Sequence, residues 1–435
     1  MYSSQGIGWG IILIGAWGVW ATALFLTKRQ TQDQSLSPRI VQGLLCLCLV
    51  LSLFDPKIMY AQIASANPAL LSKGPIQVLP RTTGVYLQTV LILSLACLGV
   101  LFFQKGKEVL WHRVLGIILV ALSAGSHLLV YRLVPFPLID VFTTISEASV
   151  ALLEGRNPYG ITYTDIYQGQ GLTPTGFGYL PGILPWSIFG LIFGGDVRMG
   201  NFFALTGTAL LFLFGGNGHR FTSRCTFACL LFYGGAGLFV AEQAWIDSVL
   251  LFLIVTSAWC LDRKHEALAG CLAGLLCATK QYGVVAFVFL WLMLICQRSL
   301  KESLRFFVIA LGIGVLVQAP FWIWNFPVYW ETVFVGVGQM PFRPDAYTLV
   351  SLATSWGIST GPIPWIGVGT FLLIAWKFGT RKNISLQQSI FGIGLAYLWI
   401  FMTNRHAFCN YYQLIFLLFV CSAALASPQN FEKTP

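Results

Sequence analysis

The sequence predicts an all-α, polytopic transmembrane protein of about 13 spans with an extracytoplasmic amphipathic or re-entrant segment. Three observations carry that reading. Of 435 residues, 56% are hydrophobic and only 10% are charged, where a soluble domain carries roughly a quarter charged. Apolar runs of about 15–20 residues recur from end to end, the helix length that crosses a hydrocarbon core of ~30 Å. The basic residues fall in short breaks between those runs, as positive-inside bias requires. A soluble enzyme is thereby excluded. The net charge of +10 comes with no long basic stripe and implies no nucleic acid.

The spans read as 7–26, 40–54, 85–103, 114–133, 200–215, 225–240, 246–261, 266–280, 283–297, 304–324, 361–377, 387–402 and 411–426. The first run, Ile7 to Phe25, has no basic residue ahead and no small-residue cleavage site behind, and Lys28 and Arg29 follow it. It reads as a retained span, not a signal peptide. With loop 27–39 in the cytoplasm, alternation gathers most of the 26 basic residues on that side. They are Lys28, Arg29, Arg39, Lys105, Lys107, Arg113, Arg220, Arg224, Arg263, Lys264, Arg298, Lys301, Arg305, Lys377, Arg381, Lys382 and Lys433. The scheme requires 178–194 not to cross. That stretch is short and contains Pro181 and Pro185, which suits a re-entrant or interfacial helix.

Eleven cysteines are present, ten of them inside apolar runs and one, Cys409, in an expected loop. None pairs at metal-ligand spacing in a polar setting, so they read as small hydrophobes.

Candidate chemistry lies in the outer loops. From Asp140 to Glu154 the apolar positions suit an amphipathic interfacial helix. Gly155 ends it and Asn157-Pro158-Tyr159 makes a turn. Asp140 is either a helix N-cap or a functional carboxylate, and the same choice holds for Asp247, beside Trp245 at the mouth of a span. Lys280 lies in a polar dip between two apolar runs. It either snorkels to headgroups or binds phosphate. Arg343, between Phe342 and Pro344, is a stiffened guanidinium suited to phosphate or a surface partner of Asp345. Arg405 and His406 precede the last span, where His406 is an interfacial histidine or a ligand. Carboxylates and cations on one membrane face are what lipid-phosphate chemistry needs: a base for an acceptor hydroxyl and cations for a departing phosphate.

At these residues the chain resembles a C-type glycosyltransferase, closest to glycosyltransferase family 87, the polyprenyl-phosphate-dependent mannosyltransferase-like group. The similar features are an aspartate shortly after a span, ALLEGRNPYG (151–160), FGYLPGILPW (177–186), AWID (244–247), LAGCLAGLLCATKQYG (268–283), FRPDAYTL (342–349) and AFCNYY (407–412). The resemblance covers about 140–412. It divides the chain into N-terminal spans outside it (1–113), a C-type-like transmembrane domain (114–426) with an active-site loop at 134–177, and a cytoplasmic tail (427–435).

The resemblance implies inverting transfer of a hexose from a polyprenyl-phosphate donor to a glycan or glycolipid acceptor, at the outer face of a bacterial plasma membrane. Asp140 matches the family's catalytic base and Asp247 a second acidic position. Lys280 and Arg343 fall where phosphate-binding cations belong. Arg156, Tyr159, Tyr179, Gln243, His406 and Tyr411 are the further substrate-binding candidates. No cofactor is expected; some C-type enzymes use a divalent metal, and the sequence shows no ligand cluster for one. Two other classes compete. A lipid or solute transporter, or flippase, predicts charges buried mid-span, broken helices and repeated halves. An assembly protein descended from an enzyme would keep the spans and tolerate loss of Asp140.

Overall fold

Every regular element among the described residues is helical, as expected where lipid leaves backbone groups no water to bond. The computed structural model describes residues 18, 38–54, 81–103, 108–137, 139–166, 176–215, 220–339, 342, 343, 346–381 and 384–425. The expected first span (Gly18 apart), the loop 55–80, Asp345 and the tail 427–435 lie outside the described residues.

The helices are α1 (Pro38–Phe54), α2 (Arg81–Phe102), α3 (Leu110–Leu133) and α4 (Asp140–Leu153). A 3-10 turn (Pro181–Ile183) leads into α5 (Leu184–Gly194), then α6 (Arg198–Gly215), α7 (Phe221–Tyr233) and α8 (Gly237–Glu242). Next come α9 (Asp247–Asp262), α10 (Glu266–Cys277), α11 (Gly283–Gln297) and α12 (Leu300–Trp330). The last is extended by a π-helical turn (Glu331–Val335) and one further turn (Gly336–Gln339). The chain closes with α13 (Leu349–Ser355), α14 (Ile363–Gly379), α15 (Leu386–Thr403) and α16 (Cys409–Ala424).

Among the described residues, four stretches are long and apolar enough to cross a membrane: Val85–Phe102, Leu110–Leu133, Leu300–Val335 and Leu386–Thr403. A fifth is counted if the bent pair Pro181–Gly194 and Arg198–Gly215 is one span. Five other expected spans are shorter apolar helices: Arg39–Ser52, Glu266–Cys277, Gly283–Gln297, Ile363–Gly379 and Cys409–Ala424. Glu266–Cys277, at 1.5 Å per residue, reaches about 18 Å, well short of the hydrocarbon thickness. The expected span 225–240 is broken between α7 and α8. Gly235 there has φ +58°, and the Gln413 side chain takes the place of the helix's own bonds. Its Oε1 accepts from Ala236 N at 2.9 Å and its amide donates to the Gly234 carbonyl.

Contacts sort the bundle into two ends. At one, Glu108 accepts from the Thr222 backbone at 2.7 Å and pairs with Arg113. Arg263 donates to Gly215 O, Arg298 lies 4.0 Å from Glu266, and Gln297 bonds Ile384 O. These are the loops that charge counting placed together. Capping boxes start two helices there, Ser299 with Glu302 and Ser385 with Gln388, satisfying orphan N–H groups.

At the other end lie the loops with candidate chemistry. Gly182 N donates to Ala278 O at 2.7 Å. A Cβ on Gly182 would meet that carbonyl at 2.6 Å, so only glycine allows the approach. The far end of α5 leads through Asp196 to Arg198, which bonds Glu242 O and Tyr131 O. Both ends of α5 therefore touch the same end of the bundle. A bend of 100° separates α5 from α6.

The amphipathic helix is present as α4, with Val141, Thr144, Ile145, Ala148 and Ser149 buried. Ser149 Oγ donates to Ser187 Oγ at 2.8 Å, tying it to α5. Gly155 ends it with φ +72°.

Candidate functional site

The short link from α8 to α9 sets the site. Gln243 ends α8, and Ala244, fully buried, adopts φ +59°. A non-glycine residue in that region is strained by about 1–2 kcal/mol. This tight turn presents Asp247 as the first residue of α9. Ile246 is the N-cap, so Asp247 is not itself a cap; its carboxylate is left for other partners.

Those partners come from two distant segments. Lys280, in the link between α10 and α11, places Nζ 3.4 Å from Asp247 Oδ1. Tyr282, two residues on, donates its hydroxyl to the same oxygen. Asn410, in the first turn of α16, donates Nδ2 to Oδ2 at 2.7 Å. Lys280 Nζ also faces the rings of Tyr282 (4.8 Å) and Tyr411 (4.9 Å), a cation–π contact strengthened by exclusion of water. Asp247, Lys280 and Asn410 are 2%, 7% and 2% exposed, so a charge pair is held away from solvent where each charge depends on its partner. Burial pulls the Lys280 ammonium below the ordinary lysine value, while Asp247 pulls the other way. Burial, then the Asp247 charge, push the Tyr282 phenol well up, so it keeps its proton and donates. Asn410 Oδ1 is buried with no hydrogen-bond partner, an acceptor left open at the centre of the cluster.

Behind Asp247 is a cavity of about 10 Å³, lined in part by His127, Tyr131, Asn201, Ser248 and Gln413. It has room for about one water and none for a sugar. His127 Nε2 lies 2.8 Å from Phe232 O and donates to it.

The surrounding loops are laced onto this centre. Gln281 Nε2 donates to Gly178 O (3.0 Å) and Val333 O (3.2 Å). Tyr347 N donates to Ala407 O at 2.8 Å, and Tyr412 OH bonds Tyr347 O. The half-buried Arg343 guanidinium stacks 5.0 Å from the Phe408 ring, two residues before Asn410.

Of the sequence candidates, Asp247, Lys280 and Tyr411 meet directly. Gln243 is buried beside the turn, its amide 3.1 Å from Glu242 Oε1. Arg343 stands one residue layer out. His406, half-buried, lies three residues before α16 begins at Cys409. Asp140 is half-buried at the start of α4. Ile139 is the N-cap, so Asp140 is the first helical residue, not the cap; its Oδ1 accepts from Val141 N at 2.9 Å, where a helix N-terminus favours negative charge.

Two candidates are engaged elsewhere. Arg156 pairs with Glu154, both more than half exposed. Tyr159 is buried among Phe177, Phe321 and Tyr329 and donates to Tyr179 O at 2.9 Å. It holds loops together, leaving Tyr179 with its backbone used as acceptor. Cys409 opens α16 instead of lying in a loop, and all eleven cysteines are free. Among the described residues no three His, Cys, Asp or Glu side chains gather around a metal position.

Sequence reasoning passed over Tyr282 and Asn410 as site residues, although both stand inside the runs ATKQYG and AFCNYY. It also missed Arg198, fully buried with Asp196, Glu242 O and Tyr131 O as partners. A charged residue at a span end was the available signal.

No protein-family model matches the chain, and no curated protein or solved structure does. The fold and site stand on the geometry alone.

Proposed function

We propose that this membrane protein is a hexosyltransferase, mannosyltransferase-like, with the C-type glycosyltransferase fold of about 13 spans. It moves a sugar from a polyprenyl-phosphate donor to a glycan or glycolipid acceptor at the extracytoplasmic face of a bacterial plasma membrane. The observation that carries the reading is the buried contact of Lys280 with Asp247, with Arg343 nearby, at the end of the bundle opposite the cationic loops.

Asp140 takes the proton of the acceptor hydroxyl. The hydroxyl oxygen bonds the anomeric carbon as the bond from that carbon to the phosphate oxygen breaks, inverting the configuration. Lys280 and Arg343 neutralise the departing phosphate. Asp247 holds Lys280 charged and oriented. The cavity behind Asp247 is too small for a hexose, so the proposal puts the sugar outside it, on the side of the loops.

Asp140→Asn, reconstituted with polyprenyl-phosphate hexose and an acceptor, is expected to lose turnover while unfolding at the wild-type temperature. Undiminished turnover would overturn the role of Asp140. The transporter reading has one feature in its favour, the break between α7 and α8, but Gln413 fills it. Solute or lipid movement in vesicles without sugar transfer would favour that reading.

A further inference from the structure

α12 is too long for the membrane it enters. Between Arg305 and Glu331 there is no charged residue, and Arg298, Lys301 and Arg305 stand at its cationic end. At 1.5 Å per residue the 20 residues from Arg305 to Asn325 rise about 30 Å, the full hydrocarbon thickness. The helix breaks at that depth: Asn325 leaves the helical region (φ −164°, ψ 87°). Its side chain then accepts from Val328 N at 3.3 Å, starting a second helix.

The second helix turns back instead of running on. Tyr329 OH donates to Gln318 Oε1 at 2.7 Å. In a straight helix those residues would stand about 16 Å apart along the axis, beyond what the two side chains could close. The inner face of this segment is fully committed to protein. Tyr329 and Val333 are each 1% exposed, Tyr329 packs on Tyr159 at 4.8 Å, and Val333 O accepts from Gln281. The outer face is a stripe of rings at four-residue spacing, Phe326, Trp330 and Phe334, the first pair stacked at 6.0 Å and the second tilted at 4.7 Å. These are 50%, 49% and 41% exposed. Residues spaced by four share one helix face, and a face of tryptophan and phenylalanine favours the boundary between headgroups and acyl chains.

We infer that residues 326–335 lie in the plane of the bilayer, with Phe326, Trp330 and Phe334 set into the phospholipid headgroup–acyl boundary. This segment is the membrane-side wall of the site. Gln281 hydrogen-bonds it directly, and Lys280 is the next residue, so the buried charge pair stands at the depth of lipid phosphates. The inference rests on the membrane reading and deepens the transferase proposal by giving the donor a lateral route from the leaflet.

The test is depth-dependent quenching of tryptophan fluorescence in phosphatidylcholine vesicles. One set carries a nitroxide near the glycerol and another at the acyl chain end. The difference between wild type and Trp330→Phe isolates the Trp330 signal. It is expected to be quenched more strongly by the shallow label than by the deep one. Leu316→Trp, added to the Trp330→Phe chain at a 66% exposed mid-helix position, is expected to give the opposite ranking. Stronger deep quenching of Trp330, or quenching by neither label, would overturn the inference. The readout uses no sugar transfer, so a failed transferase assay leaves it standing.

Discussion

Two buried ion pairs sit at the same end of this bundle and are built on different plans. Arg198 is 0% exposed, and its guanidinium is occupied all round. Nε bonds Asp196 at 3.0 Å, Nη1 reaches Glu242 O at 3.2 Å and Nη2 reaches Tyr131 O at 3.2 Å. The Tyr131 and Phe142 rings cover it at 4.7 and 5.1 Å. It joins α3, α4, α6 and α8, and so sets the base from which α4 carries Asp140. The Asp247–Lys280 pair is leaner. Its ion-pair contact is 3.4 Å long, two tyrosine faces replace further acceptors, and Asn410 Oδ1 is unmatched. A charge whose hydrogen-bonding capacity is spent on protein is a fixture, whereas one with capacity left over can still bind something.

The largest effect that sharpens this contrast is on chemistry. Asp247→Asn is expected to lower the proposed sugar transfer by about a hundred- to ten-thousand-fold, measured with reconstituted protein that still unfolds cooperatively. A near-normal rate would make the pair a second fixture. Next comes stability. Arg198→Met leaves Asp196 without its ion-pair partner and two buried carbonyls without their donor, and is expected to cost about 3–5 kcal/mol, read from denaturant unfolding in detergent. If Arg198→Met unfolds as the wild type does yet fails to transfer sugar, the contrast is reversed and Arg198 belongs to the site.

A smaller effect is a shift in pH dependence. Burial lowers the Lys280 value, so its ammonium is lost at a pH below that at which an exposed lysine discharges. Transfer should fall on the alkaline side, beginning below the ordinary lysine range, and Lys280→Arg should move or remove that limb because guanidinium does not discharge. An unchanged alkaline limb in Lys280→Arg would assign it to another group. Smallest is the turn between α8 and α9. Ala244→Gly relieves a left-handed backbone and is expected to stabilise by about 1 kcal/mol, seen as a higher Tm, with little change in transfer. A loss of transfer there would show that the strained turn itself aims Asp247.

Particular elements show how far sequence alone reached. Membrane residence, the amphipathic helix from Asp140 and its stop at Gly155 were all legible. The grouping of Arg113, Arg220, Arg263 and Arg298 at one end was legible too. Each follows from how single residues, or residues a few positions apart, distribute between lipid and water, and that is a property of local composition. Asp247 and Lys280 could be nominated because ionisable groups at span ends need a reason to be there, and Tyr411 by its place in the run AFCNYY. Their meeting could not be read off the chain: 33 residues separate Asp247 from Lys280 and 163 separate it from Asn410. Only packing decided that Arg156 would pair with Glu154 at the surface, that Tyr159 would serve as a buried prop, and that Arg198 would become a latch. Burial and partner choice depend on which helices come to lie side by side, and that is settled by the whole bundle.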